Sequence, residues 1–384
     1  MRSMKILKEK IMEDPRIRKF AKYIIQKAVA LKQGEKILIE LHGDPKAAPL
    51  AKALIEESYE AGGFPYFQKY DYVLEAAVLK GTSQEHLRNV ASYEIQRMKD
   101  MDAYVDIRAS QNIHEWNDVP KEKMAIYNKE YWGPIHLSER CNHTKWTVIR
   151  YPNEAMAQLA GMSTEEYENF YFSACLVDYD KMGESMKPLV ELMSRTDKVR
   201  IVGPKTDLTF SIKGIPVIGT NGGNNIPDGE ILTAPVKDSV NGFIYYNVPS
   251  PYGGEVFRDM YLEFKDGKIV KATSNLTDKM NMIFDTDEGA RYVGEFAIGV
   301  NPIITSPMLD ILFDEKMTGS FHFTPGNAYD IASNGNHSAQ HWDMISLQTP
   351  EYGGGEIYFD DVLIRKDGRF VLPQLDSLNP ENLL

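Results

Sequence analysis

The chain has 384 residues, 43% hydrophobic and 26% charged, which is ordinary for a globular protein able to bury a sizeable core. Its formal net charge of −12 argues against nucleic acid or an anionic membrane as the main partner, since neither would be attracted. Two cysteines, Cys141 and Cys175, are too few for a disulfide framework or a Cys-rich zinc site.

The N-terminal MRSMKILKEKIMEDPRIRKF interleaves charge with short apolar runs. It has neither a continuous apolar core nor a small-residue cleavage site, so a secretory signal is not expected and a cytoplasmic location is. No stretch is long and apolar enough to span a bilayer as a helix.

Asp14-Pro15 reads as an N-cap followed by Pro at the first helical position. Phe20, Ala21, Ile24, Ile25 and Ala28 continue at helical spacing, predicting a helix to about residue 31. Lys36 to Leu41 reads as a strand, residues 45–61 as a helix ended by Gly62-Gly63, and residues 64–68 as the next strand. This βαβ unit implies parallel strands. Residues 83–101 read as helix, 103–107 and 145–150 as strands, and 154–159, 164–172 and 180–193 as helices. The first half is therefore expected to be an α/β domain with an open, mostly parallel sheet.

The pattern changes near Thr196. Residues 199–202 and 208–212 read as short strands, residues 277–284 as a helix, and Asp266-Gly267 and Asp367-Gly368 mark hairpins between β-rich runs. The expected organisation is an α/β domain over 1–195 and an α+β, metal-binding domain over 196–384.

The second half also holds the residues that carry chemistry. The segments GEILTAP, GEFAIGVNP, DEKMTGSFHFTPGNAYD and HSAQHWDMI contain Glu230, Glu295, Glu315, His322, His341 and Asp343. Carboxylates and imidazoles together suit divalent ions. Glu230 and Glu295 are lone acids in apolar surroundings, where a carboxylate is costly unless paired or bound to metal. His322 alternates with Phe321 and Phe323, so a strand would turn it away from the apolar face. His341 and Asp343 would share a face if their segment were a strand. Taken one at a time, Glu315 reads as a solvated turn acid, His322 as a structural histidine and Tyr329 as an ordinary aromatic. The set together reads as a hydrolytic centre. Two ions about 3.5–4 Å apart polarise a carbonyl and lower the pKa of a water, and need a carboxylate able to bridge them. The Tyr329 phenol is suited to hydrogen-bond an oxyanion.

Other chemistries have less support. His42-Gly43-Asp44-Pro45 has one glycine where a dinucleotide turn needs several, and no Gly-x-Ser-x-Gly elbow occurs. His42, His86, His114, His136, His143 and His337 read as surface or structural, with His337 singled out because it stands four residues from His341. The acids from Asp285 to Glu288 read as a solvated turn.

In order along the chain, Gly229-Glu230 with Thr233-Ala234-Pro235, Asn241-Gly242, Glu295 with Gly299 and Asn301-Pro302, Glu315-Lys316 with Gly319 and His322, Gly326 with Tyr329, and His341 with Asp343 resemble the aminopeptidase T / aminopeptidase S family of thermophilic metallo-aminopeptidases. Tyr151-Pro152 with Met156-Ala157 is similar in the first half, so the likeness covers most of the chain. It implies a dinuclear enzyme using cobalt, zinc or manganese, a homodimer, acting on short peptides. It implies Glu230, Glu295, Glu315, His322, His341 and Asp343 as ligands, Glu295 as the bridge and Tyr329 as the catalytic tyrosine. Glu315 stands seven residues before His322, a departure that makes it the weakest match.

The runner-up is a mononuclear non-haem iron dioxygenase of the dihydroxypyridine ring-cleaving type, which is similar to this family. His322, His341 and Asp343 alone would supply two imidazoles and a carboxylate. Glu230 and Glu295 discriminate, because a mononuclear site does not need them.

Overall fold

The structure, a computed structural model, describes residues 14–384. The reading of the first thirteen residues falls outside it. The described chain forms two compact units that divide between Asn153 and Glu154. The change from helix-rich to strand-rich chain comes later, where the Tyr179–Arg195 helix gives way to the strand at Lys198–Gly203.

The first unit is built on parallel strands β1 (Lys36–Gly43), β2 (Phe64–Tyr70), β3 (Ala103–Ala109) and β4 (Lys145–Arg150), in the order β2-β1-β3-β4. β1 and β3 are central and mostly buried, as expected of parallel strands covered on both faces. Asp14 caps the first helix, Pro15–Tyr23, by accepting from the Arg16 N–H. Two helical stretches escaped the sequence reading. Tyr72–Gly81 has apolar residues all round and so no helical stripe, and Lys121–His143 is interrupted by Gly133-Pro134. His42, expected to be surface or structural, stands 3.5 Å from Glu40 and 3.7 Å from Asp106 in a buried ionic cluster that Arg97 and Arg108 also pair with.

The second unit holds two antiparallel sheets. The larger runs Lys268–Thr273, Met260–Lys265, Asn241–Tyr246, Thr206–Ser211, Lys198–Gly203, Glu356–Phe359, Val362–Lys366, Arg369–Phe370. Its Asp266-Gly267 and Asp367-Gly368 turns have positive φ at both residues, as two-residue hairpins of this kind require. The smaller runs Ile345–Leu347, Ser320–Pro325, Val293–Gly299, Glu230–Thr233, Ile218–Thr220.

Phenylalanines join the two sheets. Phe210 lies 5.1 Å from Phe296 and 4.9 Å from Phe323, and Phe264 lies 5.8 Å from Phe323, between ring centroids. Side chains alternate along a strand. Phe296, Phe321 and Phe323 therefore face the larger sheet, and Glu295, Ala297, His322 and Thr324 face the other way. Among the described residues, no helix is long and apolar enough to cross a membrane.

Candidate metal centre

Strand register brings three of the candidate ligands together. Ala297 pairs with His322 on one side and Leu232 on the other, and Gly299 pairs with Glu230. Glu230, Glu295 and His322 thus share one face of adjacent strands, around the small side chain of Ala297. Each is buried, with His322 only 1% exposed.

His341 and Asp343 arrive differently. The segment 341–343 is not a strand but irregular backbone that precedes the Ile345–Leu347 strand. It is pinned by Trp342 between them, whose ring stacks on Tyr252 at 4.6 Å, packs on Phe257 at 4.7 Å and donates Nε1–H to Ser250 Oγ at 2.9 Å. A bridge between Gly326 and His341 ties it to the end of the central strand pair.

The imidazole and carboxylate atoms converge. His322 Nε2 is 3.4 Å from Glu230 Oε2 and 3.5 Å from Glu295 Oε1. His341 Nε2 is 3.1 Å from both Glu295 Oε2 and Asp343 Oδ1. Two groups therefore have ligand atoms within 4.8 Å of one another, Glu230–Glu295–His322 and Glu295–His341–Asp343, with Glu295 in both.

This donor set fits divalent ions. Glu230 Oε2 is a buried atom that makes no hydrogen bond among the described residues. Such orphaned buried atoms are expensive unless something else satisfies them. Supporting contacts orient the candidate ligands, as at known metal sites. His341 Nδ1–H donates to the Asn327 carbonyl at 2.8 Å, which turns Nε2 inward, and Thr324 Oγ1 donates to Asp343 Oδ1 at 2.8 Å.

The electrostatics are those of a crowded acidic site. Burial alone would push the His322 imidazole down, but Glu295 and Glu230 outweigh it and raise its pKa to about 9. His341 is also raised, against burial, by Asp343 and Glu295. Burial works against Glu295 and Asp343 too, and the facing imidazoles overcome it and hold both carboxyls below their ordinary values. Burial lifts Glu230 and pushes Glu315 up to about 8.

Glu315 stands outside both groups. It is 8% exposed rather than solvated, at the end of the Ile311–Asp314 helix, and pairs with Lys316 Nζ at 2.8 Å. The Tyr329 ring centroid is 4.7 Å from that of His341. Crowding around the Tyr329 hydroxyl, with Glu295 and Asp343 nearby, raises its pKa although the residue is 45% exposed. His337 is exposed and belongs to neither group.

The sequence reading assigned no role to Lys316 or Asp228. Lys316 is 2% exposed and bonds Glu230 Oε1 at 2.5 Å. A signal existed, since Lys316 is the sole Lys or Arg between Arg291 and Arg365. Asp228 is buried behind Glu230 and accepts from Thr220 Oγ1 at 2.6 Å and from the Gly222 N–H at 2.7 Å.

A family model described as thermophilic metalloprotease (M29) matches residues 13–370. Aminopeptidase 2 from Geobacillus stearothermophilus is 24% identical over 352 residues, which is 81% of this chain and 83% of that protein. Aminopeptidase PepS from Streptococcus thermophilus is 24% identical over 361 residues, 83% of this chain and 85% of that protein. Among solved structures, wild-type AmpT from Thermus thermophilus has the same fold, with a TM-score of 0.77 over 93% of this chain and 99% of that one, at 21% identity.

Proposed function

The chain belongs to the thermophilic metalloprotease (M29) family and is a metallo-aminopeptidase, and we propose that it removes N-terminal residues from short peptides at a site for two divalent ions. The observation that carries the dinuclear reading is the position of Glu295, whose two oxygens face different imidazoles and which belongs to both ligand groups. A carboxylate so placed can bridge two ions. Glu230 and His322 would complete one shell, and His341 and Asp343 the other. Glu315 completes the proposed ligand set as the acid joined to Glu230 through Lys316.

Cobalt, zinc or manganese bound there would polarise the scissile carbonyl and supply a water of lowered pKa. The protein's own groups do the rest. The Tyr329 phenol, held protonated, donates to the oxyanion that develops on the carbonyl. The Asn327 carbonyl keeps His341 in the tautomer whose Nε2 faces inward. The substrate's free α-amine, which separates an exopeptidase substrate from an internal peptide bond, would be held by one ion or by a nearby carboxylate. The mononuclear iron reading would leave the convergence of Glu230 and Glu295 without a purpose. A homodimer is proposed from the family resemblance, with the cytoplasmic location expected from the sequence.

The test is metal content per chain on protein purified without chelator, paired with release of nitroaniline from leucyl-p-nitroanilide after adding cobalt, zinc or manganese. Near two ions with cleavage, both lost in Glu295→Ala, is the expected result. A folded, metal-saturated protein that cleaves neither this substrate nor dipeptides overturns the proposal.

A further inference from the structure

A buried ammonium must be paired to be tolerated. Lys316 meets this need with Glu230 Oε1 at 2.5 Å and Glu315 Oε1 at 2.8 Å, with Asp228 Oδ1 at 3.9 Å. The two oxygens of Glu230 are consequently unlike. Oε1 is bonded to the ammonium. Oε2 is buried, makes no hydrogen bond among the described residues, and lies 3.4 Å from His322 Nε2.

The backbone holds this arrangement from both sides. The Lys316 carbonyl accepts from the Asn301 N–H at 2.9 Å, and the Gly229 carbonyl accepts from the Val300 N–H at 2.9 Å. The chain at Lys316 also lies hard against the Val293–Gly299 strand. A Cβ placed on Gly299 would stand 2.8 Å from the Lys316 carbonyl carbon and 2.4 Å from the Met317 oxygen. Lys316 is thus fixed beside Glu230 by main chain as well as by charge.

We propose that Lys316 is a positioning residue of the metal centre: it occupies one oxygen of Glu230, so that this carboxylate offers a single oxygen to an ion. The inference rests on the metal-centre reading above. A carboxylate with both oxygens free can close on an ion through both, whereas one bonded to a fixed ammonium cannot. The coordination position kept open in this way is the kind a catalytic site needs for water or substrate. Glu315, bonded to the same ammonium, is oriented by the same cation.

The test uses Lys316→Met, which keeps the length of the side chain and removes the charge. The metal-free variant and wild type are loaded with cobalt(II), and d–d absorption, cobalt stoichiometry, thermal unfolding and kinetics are recorded. The expected variant folds and binds cobalt, but its d–d absorptivity falls severalfold as Glu230 closes on the ion with both oxygens. Its kcat falls about tenfold or more while KM stays within about twofold. Lys316→Arg, which keeps a cation, restores most of the spectrum. A Lys316→Met spectrum that matches wild type overturns the proposal. If Lys316→Met does not fold, a crystal structure of cobalt-loaded wild type decides. One Glu230 oxygen on the ion and the other on Lys316 supports the proposal, and both oxygens on the ion overturn it. A wild type that takes up no cobalt removes the metal reading itself, and with it this role for Lys316.

Discussion

Metal binding should stabilise the Glu154–Leu384 unit, and Glu295→Ala should abolish that effect. Without metal the site crowds Asp228, Glu230, Glu295, Glu315 and Asp343 around Lys316 and the imidazoles of His322 and His341. Five carboxyl groups face three basic groups there, so the site offers more carboxylate oxygens than its own cations can pair once a divalent ion draws the protons off. An ion that binds only the folded state at about one hundred times its Kd stabilises by about 2.7 kcal/mol. In a unit of this size each kcal/mol moves Tm by about 2–4 °C, so one ion is worth about 5–11 °C. Glu295 supplies a ligand atom to both groups, so its loss leaves each with two protein ligands. The assay is differential scanning calorimetry of chelator-treated protein, with and without added cobalt, zinc or manganese. The expected wild-type shift is at least that of one ion, and the Glu295→Ala shift near zero. A Glu295→Ala protein stabilised as much as wild type would refute the bridging role.

His322, with its pKa raised to about 9, is protonated in the metal-free protein at neutral pH and must lose that proton to ligate. Calorimetric titration with zinc in buffers of different ionisation enthalpy should therefore show proton release, with affinity rising up to about pH 9; binding without proton release sinks this reading. Because the folded value lies above the ordinary 6.5, the stability His322 contributes to the metal-free protein is complete below 6.5 and is lost as pH rises through about 9, which unfolding melts across that window would report. Tyr329→Phe should lower kcat by about 10²–10³-fold with little change in KM, the usual cost of one oxyanion donor, and an unchanged kcat would dismiss that role. Gly294→Ala should destabilise by about 1–3 kcal/mol or more, read as a fall in Tm, because its Cβ would meet the Asn327 oxygen at 2.3 Å and the Gly326 oxygen at 2.5 Å; a wild-type Tm would show that the neighbouring turn gives way easily.

Sequence patterns succeeded where a local rule governs. The Asp14-Pro15 cap, the parallel β1 and β2 pair and the Asp-Gly hairpins each follow from residues close in sequence. They failed where burial replaces periodicity. The Tyr72–Gly81 helix is apolar on exposed and buried sides alike, so no stripe announces it. His341 and Asp343 would share a face in a strand, yet they meet on irregular backbone held by Trp342.

The chemistry of the site was written in residue types. Lone acids at 230 and 295, histidines at 322 and 341 and an acid at 343 are donors whatever the fold, because their chemistry is intrinsic. Which donors meet was decided by the register of three strands and one pinned loop, since a shift of one residue would turn Glu295 and His322 to the face packed with phenylalanine. Tertiary structure alone left Glu315 outside both ligand groups and buried the ammonium of the next residue, Lys316, against Glu230. An ion pair between residues 86 positions apart leaves no periodic trace. Its existence depends on how far each charge is removed from water, and only the assembled sheets determine that.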